Sequence, residues 1–222
     1  MGWLMKSRTN IKDNCFLIVV FILMISFTMN IYQAIENKKY TYELGKQNYN
    51  KIEEIRYRNE SILSILDSCV SAGSVNNIDL FTLYRNYSKI SEVELSLWSN
   101  YLNSDNSIFM NKRSNSKNIV LNTTSKNELY SEIEELLYSY IQNDMTEKID
   151  VIELKGKVLT DFKQLKDMAT DLNNYFTEFY SKNCNVPDSK KEKTMIQEDY
   201  WVDILQGMQE VNNKYVEYEF VY

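Results

Sequence analysis

Cys15-Phe16-Leu17-Ile18-Val19-Val20-Phe21-Ile22-Leu23-Met24-Ile25-Ser26-Phe27-Thr28-Met29-Asn30-Ile31-Tyr32 is a run of 18 residues without a charge. As a helix rising about 1.5 Å per residue it spans about 27 Å, close to the ~30 Å hydrocarbon layer of a bilayer. Eleven of its residues are Leu, Ile, Val or Phe. At roughly −0.3 to −0.6 kcal/mol each they favour insertion by about 3–7 kcal/mol, and no charge opposes them. Ser26, Thr28 and Asn30 offset part of this from near the C-terminal end of the run. The expectation is a membrane anchor over residues 14–34, with Phe16, Leu17, Ile18, Val19, Val20, Phe21, Ile22, Leu23, Ile25 and Phe27 facing lipid.

Processing signals fit less well. A cleaved leader needs small residues before the cut, and Tyr32-Gln33-Ala34 has a bulky Tyr there. A lipoprotein cysteine follows small residues, whereas Lys12-Asp13-Asn14 precedes Cys15. Myristoylation at Gly2 asks for Ser or Thr where Lys6 stands. So the anchor is expected to stay uncleaved. Lys6, Arg8 and Lys12 precede it against Asp13 alone, and positive flanks stay in the cytoplasm. Residues 1–13 are therefore expected to be a cytoplasmic tail. Residues 35–222 are expected to be an extracytoplasmic domain of a single-pass cell-membrane protein, with lipid contacting the anchor.

Beyond the anchor the class is all-α. The 222 residues contain five Gly and one Pro. Sheets need turn residues often, whereas helix interiors exclude Pro and disfavour Gly. About 185 residues suffice for one sizeable core. Of 25 basic and 31 acidic residues, three basic and one acidic precede Cys15, leaving 22 against 30 beyond it, a balance of −8. An acidic domain argues against nucleic acid, because phosphate binding needs a basic face.

Helical stripes organise this domain into an expected antiparallel bundle of four or five helices. Ile52, Ile55, Asn59, Ile62, Leu66 and Cys69 step as a heptad seam on a helix over 35–71, rising from the membrane. Its one polar member, Asn59, is either a register pin or, more commonly for such a residue, a surface position on a slightly rotated seam. Gly73 is placed to cap that helix. A helix over 77–102 opens at Asn76 or Asn77 with Asp79 in its first turn. It carries Leu83, Tyr87, Ile90, Leu97 and Tyr101 on one face, with Trp98 beside them. Residues 103–124 are expected as a loop with short apolar patches.

Ser125-Lys126-Asn127-Glu128 is a capping box for a helix over 125–142, with Leu129, Ile133, Leu136 and Tyr140 on one face. The next stripe is Val151, Val158, Phe162, Leu165, Ala169, Leu172, Phe176 and Phe179, with Lys155 filling the gap, on a helix over 150–182. Extending the preceding stripe leads to position 154, whereas this one leads back to 155. That slip of about 100° predicts a break near residues 143–150. Asn183 to Ser189 holds the only Pro and is a turn. A last helix over 189–217 carries Trp201, Ile204, Met208, Val211 and Tyr215. The tail to Tyr222 is expected to fray or to fold back as a short strand.

The sequence offers little for chemistry. There is no His, the commonest general base and metal ligand. Only Cys69 and Cys184 lie outside the anchor, too few for a zinc site. With two separate helices over 125–182 the two thiols end at opposite ends of the bundle and stay free. Glu128, Glu132, Glu134 and Glu135 form the best acidic cluster, although such a helix face is far more often solvated than metal-binding. Asn59, Asn86 and Asn122 stand in N-x-S/T triplets that the abundance of Asn and Ser explains by chance. No catalytic residue, metal or cofactor is expected.

The outline is similar to external four-helix sensor domains of bacterial receptors, without their second membrane helix or output domain. It also looks like bitopic scaffold proteins of cell division, sporulation or secretion. The expected function is a non-enzymatic interaction module binding another protein. The alternative is an extracytoplasmic sensor or ligand-binding bundle acting through a membrane partner. A Tyr- and Trp-lined pocket inside the bundle favours the second, and a filled bundle with an exposed apolar stripe favours the first.

Overall fold

The computed structural model describes residues 2–105, 128–147, 150–184 and 186–220. The described chain is all-α, with a small two-stranded sheet. Six helices follow in order: α1 (Gly2–Ala72), α2 (Asn77–Asp105), α3 (Glu128–Glu147), α4 (Gly156–Asn183), α5 (Asp188–Gln197) and α6 (Tyr200–Asn212). Strands β1 (Ser74–Asn76) and β2 (Val151–Glu153) pair antiparallel, with Val75 opposite Ile152. Residues 106–127, which include most of the expected loop, the start of the capping box and Asn122, lie outside the described residues.

Two compact units divide the chain, Met1–Leu44 and Gly45–Tyr222. The first holds the apolar run, within a helix long and apolar enough to cross a membrane. Its large side chains are exposed, from Phe16 and Leu17 to Phe27, with Val20 half-buried. Thr28 donates its hydroxyl to the carbonyls of Met24 (3.1 Å) and Ile25 (2.8 Å). That internal bond lowers the cost of carrying a hydroxyl in an apolar segment.

The second unit is the bundle, and cross-helix contacts fix its directions. Asn100 donates to Asn48, Lys51 to Ser96 and Arg58 to Asn86, so α2 runs antiparallel to the C-terminal part of α1. Tyr180 meets Glu53, and Lys166 pairs with Asp67 at 2.7 Å, so α4 is antiparallel to α1 as well. The remaining side is shared. Near its N-terminal end α2 stacks Tyr87 on Tyr130 of α3, whereas near its C-terminal end Tyr101 meets Trp201 of α6. Likewise α4 offers Phe162 to Tyr140 of α3 and Phe179 to Tyr200 of α6. The two short helices thus occupy successive lengths of one bundle position, and Asn212 at the end of α6 donates to Tyr130 near the start of α3.

The seams supply the core. Ile52, Ile55, Ile62, Leu66, Leu83, Tyr87, Leu97, Phe162, Leu165, Leu172, Phe176, Trp201, Ile204, Met208 and Val211 are all buried. Val158 and Phe179, expected alongside them, are only half-buried against the core. Val158 stands in the first turn of α4, and Phe179 faces the α4–α6 cleft described below. Asn59 is buried rather than superficial, and its amide donates to the Ala169 carbonyl at 2.9 Å. A buried amide must be satisfied, so this bond sets the axial register of α1 against α4.

The break between α3 and α4 falls where the stripes slip. The helix expected from residue 150 begins only at Gly156: Val151–Glu153 pair with β1 instead, which leaves Val151 exposed, while Leu154 is buried and its N–H donates to the Gly73 carbonyl at 2.9 Å. Gly73 ends α1 with φ +69°, a left-handed conformation that glycine adopts without strain. Asn76 caps α2: its side-chain oxygen accepts from the Asp79 N–H at 2.8 Å, and its amide donates to the Asp79 carboxylate at 2.7 Å.

The expected single helix over 189–217 is two helices. Asp199 between α5 and α6 has φ +50°, which Asp tolerates better than most residues. α5 then packs on α1 at Gly45, where a Cβ would stand 3.0 Å from Ile196 Cγ2. The tail neither frays nor pairs as a strand over 213–220. It turns back, burying Tyr215 and Phe220.

Candidate functional site

Buried polar groups come first, because they are costly unless used. Asp161 is fully buried and accepts from the Tyr140 hydroxyl (3.2 Å), the Tyr218 hydroxyl (2.6 Å) and Lys157 Nζ. Lys157 also donates to the Glu219 carbonyl at 3.0 Å. Burial and the Asp161 carboxylate push the Tyr140 hydroxyl well above the ordinary tyrosine range. Each partner is thereby occupied, and the group clasps the tail to the start of α4. Asp161 has no signature in the sequence, since its partner Tyr218 lies 57 residues away.

A second cluster joins Tyr180, Glu53 and Arg56. The Tyr180 hydroxyl donates to Glu53, and Arg56 binds the same carboxylate at 2.7 Å. Here too every charge is matched. A third buried group centres on Tyr130, whose ring lies 6.4 Å from that of Tyr87, whose hydroxyl accepts from Asn212 at 3.3 Å and which feels the charge of Glu94. Burial raises both tyrosine hydroxyls far above their usual range, with the Glu94 charge adding to the rise at Tyr130.

No group of three or more Cys, Asp or Glu side chains converges to hold a metal among the described residues. Of the acidic cluster on α3, Glu132 and Glu134 are half-buried and Glu135 is exposed. Cys69 and Cys184 are buried free thiols. Cys184 lies beside Met195 (Sγ to Sδ 3.2 Å) at the Glu53 end of the bundle. From Glu53 to Cys69 α1 rises about 24 Å, far beyond the ~7 Å Cα separation that a disulfide allows. Asn59 and Asn86 are buried, so neither triplet presents an acceptor on the folded surface.

What remains open is surface. α2 exposes Ile78 (79%) and Phe81 (56%), and α3 exposes Tyr138 (49%). The rings of Phe81 and Tyr84 lie 6.5 Å apart and those of Tyr84 and Tyr138 6.1 Å apart, which makes the patch continuous. The positions 78, 81 and 85 step along the face of α2 that turns away from buried Leu80, Leu83 and Tyr87. Core spacing does not single these aromatics out, because it marks only the inward face of α2. An outward stripe at positions 78 and 81 was visible beside the inward one.

The other open feature is a cleft of about 580 Å³ between α4 and α6. Tyr175, Glu178, Phe179, Lys182 and Asn183 line it from α4; Tyr200, Asp203, Gln206, Gly207 and Glu210 line it from α6. Gly207 makes the floor possible. A Cβ there would stand 2.1 Å from Tyr175 Cζ, so the ring rests directly on the backbone of α6. The Tyr175 hydroxyl donates to the Asp203 carbonyl at 3.0 Å. Burial, then the charges of Asp203 and Glu210, push that hydroxyl above the ordinary tyrosine range. Phe179 stands edge-on to Tyr200 with centroids 5.6 Å apart. Comparison with known proteins finds no family model, no curated protein and no solved structure that matches the chain.

Proposed function

We propose that the chain is a membrane-anchored helical interaction module that binds another protein outside the cytoplasm and performs no catalysis. The observation that carries the reading is the exposed Ile78–Phe81–Tyr138 patch on the outside of the bundle. Contiguous exposed aromatics cost solubility, and aromatics of this kind are enriched where proteins meet. The apolar run of residues 15–32 supplies the anchor, and the charge asymmetry around it supplies the orientation.

The test compares wild type with Phe81→Glu/Tyr138→Glu by native gel of gently solubilised membranes. Both side chains are exposed, so the variant keeps the wild-type melting temperature. The wild-type chain runs in a larger assembly and the variant runs smaller. An assembly of unchanged size in the variant overturns the reading. A second reading, a ligand-binding bundle acting through a partner, draws on the α4–α6 cleft walled by Tyr175, Phe179 and Tyr200. It calls for a small ligand that raises the melting temperature of the isolated full chain.

A further inference from the structure

We propose that the α4–α6 cleft takes a lysine- or arginine-bearing segment of a partner protein. This rests on the interaction reading and names the chemistry of one surface it uses. Three observations converge on a cationic guest. Aromatic rings stand on both walls: Tyr175 and Phe179 from α4, and Tyr200 from α6. Aromatic faces attract ammonium and guanidinium groups, and Arg also stacks on them. The rim is acidic, with Glu178, Asp203 and Glu210 set against Lys182 alone.

Those three carboxylates also lack a cation among the described residues. Elsewhere in the bundle Glu53, Glu54, Glu60, Asp67, Asp161 and Asp171 each hold a Lys or Arg within salt-bridge distance. Among the described residues the cleft's acids hold none. An open trough of about 580 Å³ lies within the ~300–1,000 Å³ typical of ligand sites. It extends along more than one turn of each helix, so it suits a short stretch of chain better than a single small cation. The domain's surplus of acidic residues steers the same partner toward it.

The test is a titration of fluorescently labelled hexa-arginine into the full chain in phosphatidylcholine nanodiscs, whose neutral lipid does not compete for the probe. The variant Glu178→Gln/Asp203→Asn/Glu210→Gln weakens binding by roughly tenfold, as loss of three exposed charge pairs implies. Glu135→Gln/Asp150→Gln/Glu217→Gln removes as much charge from exposed positions outside the cleft and changes binding by less than about threefold. Lys182→Gln tightens binding, an effect that a folding defect does not mimic.

Failure of hexa-arginine to bind overturns the proposal. So does equal weakening by the two triple variants, which means that charge acts diffusely. Competition by N-acetylarginine amide as potent per guanidinium as the peptide overturns the partner segment in favour of a small cation. The assembly measured with Phe81→Glu/Tyr138→Glu does not depend on these results. Failure of the cleft and failure of the interaction reading are therefore told apart.

Discussion

Phe162→Ala is the sharpest probe of the bundle. The ring is fully buried on α4 and lies 6.2 Å, centroid to centroid, from Tyr140 of α3. Its neighbour Asp161 holds Tyr140, Tyr218 and Lys157, so the surroundings are pinned and cannot collapse freely into the space left behind. Truncating a fully buried Phe costs about 3–5 kcal/mol, and the lost aromatic pair contributes about 0.5–1.5 kcal/mol of that. Against a typical total of about 5–15 kcal/mol, this is a large fraction of the stability. In a domain this size each kcal/mol shifts the midpoint by about 2–4 °C, so melting falls by about 6–20 °C. The assay is thermal unfolding of the full chain in detergent, followed by circular dichroism. Two controls bracket it. Val158→Ala, half-buried on the same stripe, costs about 1 kcal/mol, and exposed Lys163→Ala stays within about 0.5 kcal/mol. Equal shifts for Phe162→Ala and Lys163→Ala refute the assignment of the α4 seam to the core.

Asn59→Asp should cost about 3–5 kcal/mol, because a carboxylate cannot donate to the Ala169 carbonyl and would be buried unpaired; Asn59→Ala should cost less, and the reverse order in denaturant melts contradicts the register pin. Burial and nearby carboxylates push Tyr49 and Tyr215 up to about 12. The unfolded chain releases those protons near pH 10, whereas the folded chain holds them, so this stabilisation is full below about pH 10 and is lost as pH rises toward 12. Melting temperatures of wild type and Tyr49→Phe/Tyr215→Phe that fall in parallel between pH 10 and 12 contradict that window. Burial and the Asp79 charge raise the Cys69 thiol to about 11, and burial raises Cys184, so these two thiols should resist alkylation at neutral pH in the folded chain. Unreduced but unfolded chain should expose both, and their loss in a species confirmed as monomeric contradicts free cysteines. A reporter active only in the cytoplasm, fused after Tyr222, should be silent; an active fusion reverses the proposed orientation.

The stripes that were legible are those whose partners are other stripes. A seam such as 162-165-169-172-176 needs only apolar neighbours, so its period alone marks it as buried. Val158 and Phe179 continue the period but stand in the first turn of α4 and at the α4–α6 cleft, and periodicity cannot show that. Asp161 was not legible as a buried residue, and the seam left Asn59 open between core and surface, because each depends on an acceptor or donor that another element brings in. The break at Asp199 carries neither Gly nor Pro. Its trace is indirect: the apolar stripe of α6 begins only at Trp201, and before it Ile196 packs on Gly45 of α1 while Met195 lies beside Cys184. The strands are three residues each, too short for a period of two to stand out. The cleft exists because two small facts coincide, a glycine at position 207 and a tyrosine facing it from α4.

The central claim, a protein partner seated on the exposed aromatic patch, is tested most directly by photo-crosslinking in native membranes. A photoreactive residue at position 81 should give one discrete protein adduct of constant mass. The same residue at exposed Lys163 should give none. No adduct from position 81, or an equal ladder from both positions, contradicts the account.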